Sequence, residues 1–167
     1  MIHVRIDDLA FFEGEAILRP VNEDLAATTP LMRRLELAAG PKLHDQIRVQ
    51  EPLPVGAAVV TAAGELGVEL LVHAVVMSST EPVSRDSVRR ALTSALQRVE
   101  SWEIKDVAIA PFGLGAGNLE IEESAEIMMM VLDQHLRGSR FPERVTLFAE
   151  TPDEERALAA AVQRSGR

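Results

Sequence analysis

Three glycines in five residues, Gly113-Leu114-Gly115-Ala116-Gly117, are the stretch of this sequence best suited to chemistry. They follow a short apolar run, Val107-Ala108-Ile109-Ala110, that Pro111 ends, and they precede a helical pattern from about Glu120 to Leu136. A strand, a glycine turn and a helix start can together hold a phosphate. Glycine lets the backbone approach closely with positive φ, and successive N–H groups then point at the anion. The same spacing also serves a strand-to-helix turn in which glycine only permits close packing, and short glycine patterns recur by chance. Glu120, Glu122, Glu123 and Glu126 come next. Near a helix start they complement the macrodipole, but they also repel a diphosphate.

No second reactive grouping emerges. His3, His44, His73 and His135 are scattered, with no pair at ligand spacing, so neither a metal nor a cofactor is expected. Gly-x-Ser-x-Gly is absent and no Ser-His-Asp order can be argued, so no catalytic residue is assigned. Cysteine is absent, which removes disulfides, thiolate metal sites and cysteine nucleophiles together. The turn is a poor dinucleotide fingerprint, because Asn118 follows Gly117 where a third glycine should stand further on. His73 sits in an apolar run and reads as a satisfied buried histidine. Arg19, in another apolar run, reads more readily as the partner of Glu13, Glu15 or Asp24 than of an anionic ligand. Met128-Met129-Met130 reads as core filling.

A formal net charge of −9 over 167 residues argues against bulk neutralisation of nucleic-acid phosphates. One small anion is still admissible, because backbone amides and helix ends hold phosphate without lysine or arginine. With no tyrosine and one tryptophan, platforms for stacked bases are scarce. Hydrophobic residues make up 47% and charged residues 26%, the balance of an ordinary globular domain. No apolar run reaches membrane-spanning length and no signal-peptide pattern follows Met1, so a cytoplasmic location without a membrane partner is expected. The length suits a single domain over residues 1–167.

The elements that must position the glycine turn can be read from periodicity. Ile2 to Ile6 alternates as a half-buried strand, and Ala16 to Val21 forms a second. Pro30 opens a helix with Leu31, Leu35, Ala38 and Ala39 on one side, ended by Gly40. Pro41 to Val55, with three prolines, reads as a connecting segment. Ala57 to Ala62 and the almost continuously apolar Leu70 to Met77 are strands, the latter central. Ser84 to Val99 is an amphipathic helix with Val88, Leu92, Ala95, Leu96 and Val99 inward. Val145 to Ala149 is a last strand, and Thr151-Pro152 caps a last helix. Roughly six strands and four helices, mostly alternating, give a three-layer α/β/α sandwich. The first two strands leave no room between them for a helix, so the sheet should be mixed.

In that order the motifs resemble the macro domain family, modules that bind ADP-ribose and related nucleotide derivatives. Asp7-Asp8-Leu9 is similar to the family's Gly-Asp-Ile, Arg19-Pro20-Val21-Asn22 to its Asn-Ala-Ala-Asn, and Ala38-Ala39-Gly40 to its Ala-Ala-Gly. Gly56 to Thr61 looks like its Gly-x-Ala-x-x-Thr strand and Val72-His73-Ala74-Val75 like its Ile-His-x-Val strand. Pro111 with Gly113, Gly115 and Gly117 looks like its second phosphate loop. The resemblance implies a small nucleotide ligand of the ADP-ribose type. It would be bound by Asp8 at the adenine amino group, Leu9 beside it, Asn22 at the distal ribose, and Gly113, Leu114, Gly115, Ala116 and Gly117 at the phosphates. A turn role competes for Asp8 and for Asn22. The chain departs from the family where Ala27-Thr28-Thr29-Pro30 replaces a glycine triplet, where Arg19 replaces an asparagine, where Met32 takes a position often acidic in hydrolytic members, and near Glu150, where an aromatic often stacks on adenine. Three functions follow: a diverged binder, a ligand-free domain acting through protein contacts or as a homo-oligomer, and, trailing, a hydrolase of ADP-ribose derivatives.

Overall fold

A computed structural model describes residues 1–115 and 119–167. The Ala116 and Gly117 assignments therefore fall outside the described residues. Within them lie β1 (Ile2–Ile6), a 3-10 turn (Leu9–Phe11), β2 (Ala16–Asn22), α1 (Pro30–Ala39), α2 (Pro41–Arg48), β3 (Ala58–Ala62), β4 (Leu70–Met77), α3 (Arg85–Ser101), β5 (Asp106–Ile109), α4 (Ile121–Gly138), β6 (Arg144–Ala149) and α5 (Pro152–Arg164). The strands form one sheet in the order β1-β6-β5-β2-β4-β3.

The sheet is mixed, as expected, but for a different reason. β1 and β2 do not pair: β1 lies parallel to β6 at one edge, while β2 lies parallel to both β5 and β4. The antiparallel pair is β3 with β4 at the other edge. Its connection, residues 63–69, is the short link that antiparallel neighbours can use and parallel ones cannot.

Alternation along the strands divides the core. Ala16, Leu18, Val72, Ala74, Val107, Ile109, Val145 and Leu147 face α3, α4 and α5. Ile17, Leu71, Ala108 and Phe148 face the 3-10 turn, α1 and α2. Period-two patterning of buried strands thus yields the three layers directly. Thr29, Ser84 and Thr151 cap α1, α3 and α5 by accepting from backbone N–H groups, and α1 and α5 carry proline in their first turn.

Three expectations are corrected. Pro41 to Val55 is not wholly a connection, because its first half is α2, with Leu43 buried and Ile47 packed one turn on against the core. Gly40, at φ 87°, takes the left-handed corner between α1 and α2, and Pro41 starts the second helix. Of the expected α1 stripe Leu31, Leu35, Ala38 and Ala39, Leu35 and Ala39 are buried and Leu31 half-buried, but Ala38 is exposed and Met32 takes the inward place. Met128 and Met129 are buried, but Met130 is 49% exposed.

Candidate functional site

At the carboxyl ends of the parallel strands, β2 leads into α1 on one face of the sheet and β5 into α4 on the other. Adjacent strands whose outgoing connections diverge leave a crevice between them, the usual ligand position in open α/β sheets. A cleft of about 260 Å³ opens there. Thr29, Pro30, Leu31 and Met32 form one wall, Pro111, Leu114 and Gly115 the second, and Glu150 and Glu154 the end.

The second wall is built for close approach. Gly113 at φ 89° and Gly115 at φ 130° adopt backbone that L residues rarely take. A Cβ at Gly113 would lie 2.9 Å from side-chain methyls of both Leu119 and Val88, so a larger residue would have to displace them as well as hold a strained positive φ. Leu119 N–H donates to the Gly113 carbonyl at 3.0 Å.

The first wall has little donor capacity. Helical first turns leave their N–H groups for an anion. Here Pro30 has none, and Met32 N–H is taken by Thr29 Oγ1 at 3.3 Å. Arg33 N–H already donates to the Thr29 carbonyl at 3.1 Å. That leaves Leu31 N–H. Met32 itself is 1% exposed and brings only a thioether to the floor.

Charge at the end wall is acidic and partly neutralised. Arg34 Nη2 reaches across from α1 to Glu150 Oε2 at 2.7 Å. Glu154 accepts from Glu150 N–H at 3.0 Å while its own N–H is capped by Thr151. Neither Arg34 nor Glu154 is visible from sequence. Arg34 and Glu150 stand 116 positions apart, and only the fold brings them together.

Of the other assigned residues among those described, none lines this cleft. Asp8 is exposed, and its Oδ1 accepts from Ala10 N–H at 2.9 Å as the cap of the 3-10 turn. Leu9 packs its side chain into the core at 1% exposure, so only its backbone could meet a ligand. Asn22 Oδ1 accepts from both Asp24 N–H at 2.9 Å and Ala26 N–H at 3.0 Å. Those bonds hold a tight loop in which Leu25 takes φ 61°. The carboxamide oxygen is thus engaged in the turn, and its NH₂ remains for other partners.

Arg19 is fully buried and pairs with Glu36 at 2.8 Å, not with Glu13, Glu15 or Asp24. It also donates to the Leu25 carbonyl at 2.8 Å and, from Nε, to His73 Nδ1 at 3.0 Å. That bond makes Nδ1 an acceptor, so Nε2 carries the proton and donates to Thr61 Oγ1 at 2.8 Å. Thr61 in turn donates to the Ala62 carbonyl at 2.9 Å. Burial, and then the neighbouring guanidinium, hold His73 well below the ordinary imidazole range. It is a satisfied neutral core histidine.

The Macro domain family matches residues 19–128 of the chain, and the protein belongs to that family. The fold superposes on the Oceanobacillus iheyensis macrodomain with ADP at a TM-score of 0.86 and 17% identity, covering 97% of this chain and 90% of the other. On the Trypanosoma brucei macrodomain in complex with ADP-ribose the TM-score is 0.86 at 15% identity, covering 96% and 68%. An uncharacterised protein of Mycobacterium tuberculosis is 26% identical over 162 residues, or 97% of this chain. The chain spans 45% of that relative's length.

Proposed function

We propose that the domain binds ADP-ribose or a closely related nucleoside diphosphate derivative in the cleft between α1 and the Gly113–Gly115 turn, and does not turn it over. The observation that carries this reading is the position of the cleft, at the divergence of β2 and β5 with a positive-φ glycine turn as one wall. Two macrodomains of the same fold, solved with ADP and with ADP-ribose, support it.

In this reading the amides of the Gly113–Gly115 turn and Leu31 meet the diphosphate, and Asp8 Oδ2 accepts from the adenine amino group beside the Leu9 backbone. The remaining NH₂ of Asn22 reaches the distal ribose. Turnover would need a polar group to position a nucleophilic water. Met32 supplies none.

Calorimetry with ADP-ribose, AMP and NAD, with product analysis on the same samples, tests the proposal. Saturable one-to-one binding of ADP-ribose without release of ribose or phosphate is expected. Silence from all three ligands in a stable oligomer would instead assign the domain to protein contacts, and multiple turnovers lost in Asn22→Ala would make it a hydrolase.

A further inference from the structure

Beyond the first turn of α1 a larger groove, of about 680 Å³, opens between α1, α2 and the loop at Asp24–Ala26. It shares no lining residue with the nucleotide cleft. Its size is that of a small-molecule site.

The groove has a fixed frame. Arg19, fully buried behind its wall, donates at 2.8 Å to the Leu25 carbonyl of the loop and at 2.8 Å to Glu36 of α1. One guanidinium thereby ties two walls together. The third wall, α2, is set at its angle by the Gly40 corner. Leu25 and Leu43 are buried and Ile47 half-buried along the groove, while Leu37 stands at it 82% exposed.

Charge selects the occupant. Of the two lining carboxylates, Glu36 is already matched by Arg19, which leaves Asp24 at the loop end. Arg33, His44 and Arg48 line the groove from the two helices. Arg48 has Asp45 at 3.6 Å, and Arg33 makes no ion pair among the described residues. The groove is largely apolar and presents Arg33 as a guanidinium without an ion pair among the described residues, which complements a ligand with an apolar body and a single anionic group.

We infer that this groove is a second binding site, independent of the nucleotide cleft, for an amphipathic monoanion. The apolar part lies along Leu37, Pro41 and Ile47, over the buried Leu25 and Leu43, and a carboxylate or sulfonate meets Arg33.

The test uses three probes of one length, decanoate, decanol and decylammonium, titrated into the protein below their micelle concentrations and followed by amide NMR shifts. Decanoate should bind saturably, with shifts at Leu25, Leu43, Ile47 and Leu37, and about fivefold tighter than decanol, the most that one partly exposed charge pair gives. Arg33→Ala, a change at an exposed position, should erase that preference and leave decanol unchanged, while Leu37→Asp should weaken both. ADP-ribose should leave the decanoate affinity where it was. Decanol binding as tightly as decanoate, no saturation, or shifts confined to Leu114, Gly115 and Glu150 would each overturn the inference. So would a dimer in ultracentrifugation that Leu37→Asp dissolves, because the groove would then be covered by a second copy.

Discussion

At the scale of single residues, the site depends on which polar atoms already have partners. Asp8 caps the 3-10 turn with Oδ1 and has Oδ2 to offer. Asp8→Ala should therefore raise the Kd for ADP-ribose about tenfold, the worth of one charged hydrogen bond, in a protein that still folds. An unchanged Kd in calorimetry would remove Asp8 from the site. His73 makes a prediction about stability. The folded state holds the ring neutral, whereas the unfolded ring protonates near pH 6.5. Above that pH neither state binds the proton and stability is level. As pH falls below it the unfolded state binds more protons, so stability drops by up to about 1.4 kcal/mol per pH unit. Urea unfolding between pH 7.5 and 5 should show this slope, and His73→Gln, which can still accept from Arg19 and donate to Thr61, should flatten it. A variant as steep as wild type would show that His73 is not the group responsible. The identity of His73 as a core residue was legible from its apolar neighbours. The partner of Arg19 was not, because Glu36 stands 17 positions away on a helix: with Met32, Leu35 and Ala39 inward, Glu36 turns toward the strand.

At the scale of elements, the first wall and the glycine turn are unequal. The turn was legible because positive φ at Gly113 and Gly115 leaves a sequence trace. The helix α2 was hidden by the three prolines of its stretch, although Pro41 directly after Gly40 is itself a helix-start signal. The first wall was legible as a loss of glycine. Its mechanism, a threonine cap that consumes the Met32 amide beside a proline that has none, required the structure. Replacing Thr28, Thr29 and Pro30 with glycine frees Met32 N–H and restores a donor at position 30. ADP-ribose affinity should rise about tenfold or more for each charge-assisted bond recovered. The same variant loses a cap worth about 1 kcal/mol and adds backbone freedom of up to about 1 kcal/mol per glycine, so its melting temperature should fall. A folded variant that binds no better would place the obstruction at Glu150, Glu154 or Arg34.

At the scale of the whole molecule, the order of layers and the interior place of β4, paired on both sides but next to the edge strand β3, could be read from hydrophobic runs, because buried strands announce themselves by composition. The pairing of β1 with β6 could not, since β1 meets the far end of the chain and the short link to β2 pointed to the wrong neighbour. Net charge sets a further expectation. A chain of −9 binding a dianion, with Glu150 and Glu154 at the cleft, gains from screening. Raising NaCl from about 20 to about 200 mM should hold or strengthen ADP-ribose binding, the reverse of a site built on lysine and arginine. Calorimetry showing binding that weakens steeply with salt would contradict it. Titrating ADP-ribose into the wild-type protein, while following amide shifts and product, tests whether the cleft holds the nucleotide without hydrolysing it. Saturable shifts at Leu31, Gly113, Leu114 and Gly115, with the ligand recovered intact, are expected. No shift at those amides at millimolar ADP-ribose, or release of ribose or phosphate, would contradict that expectation.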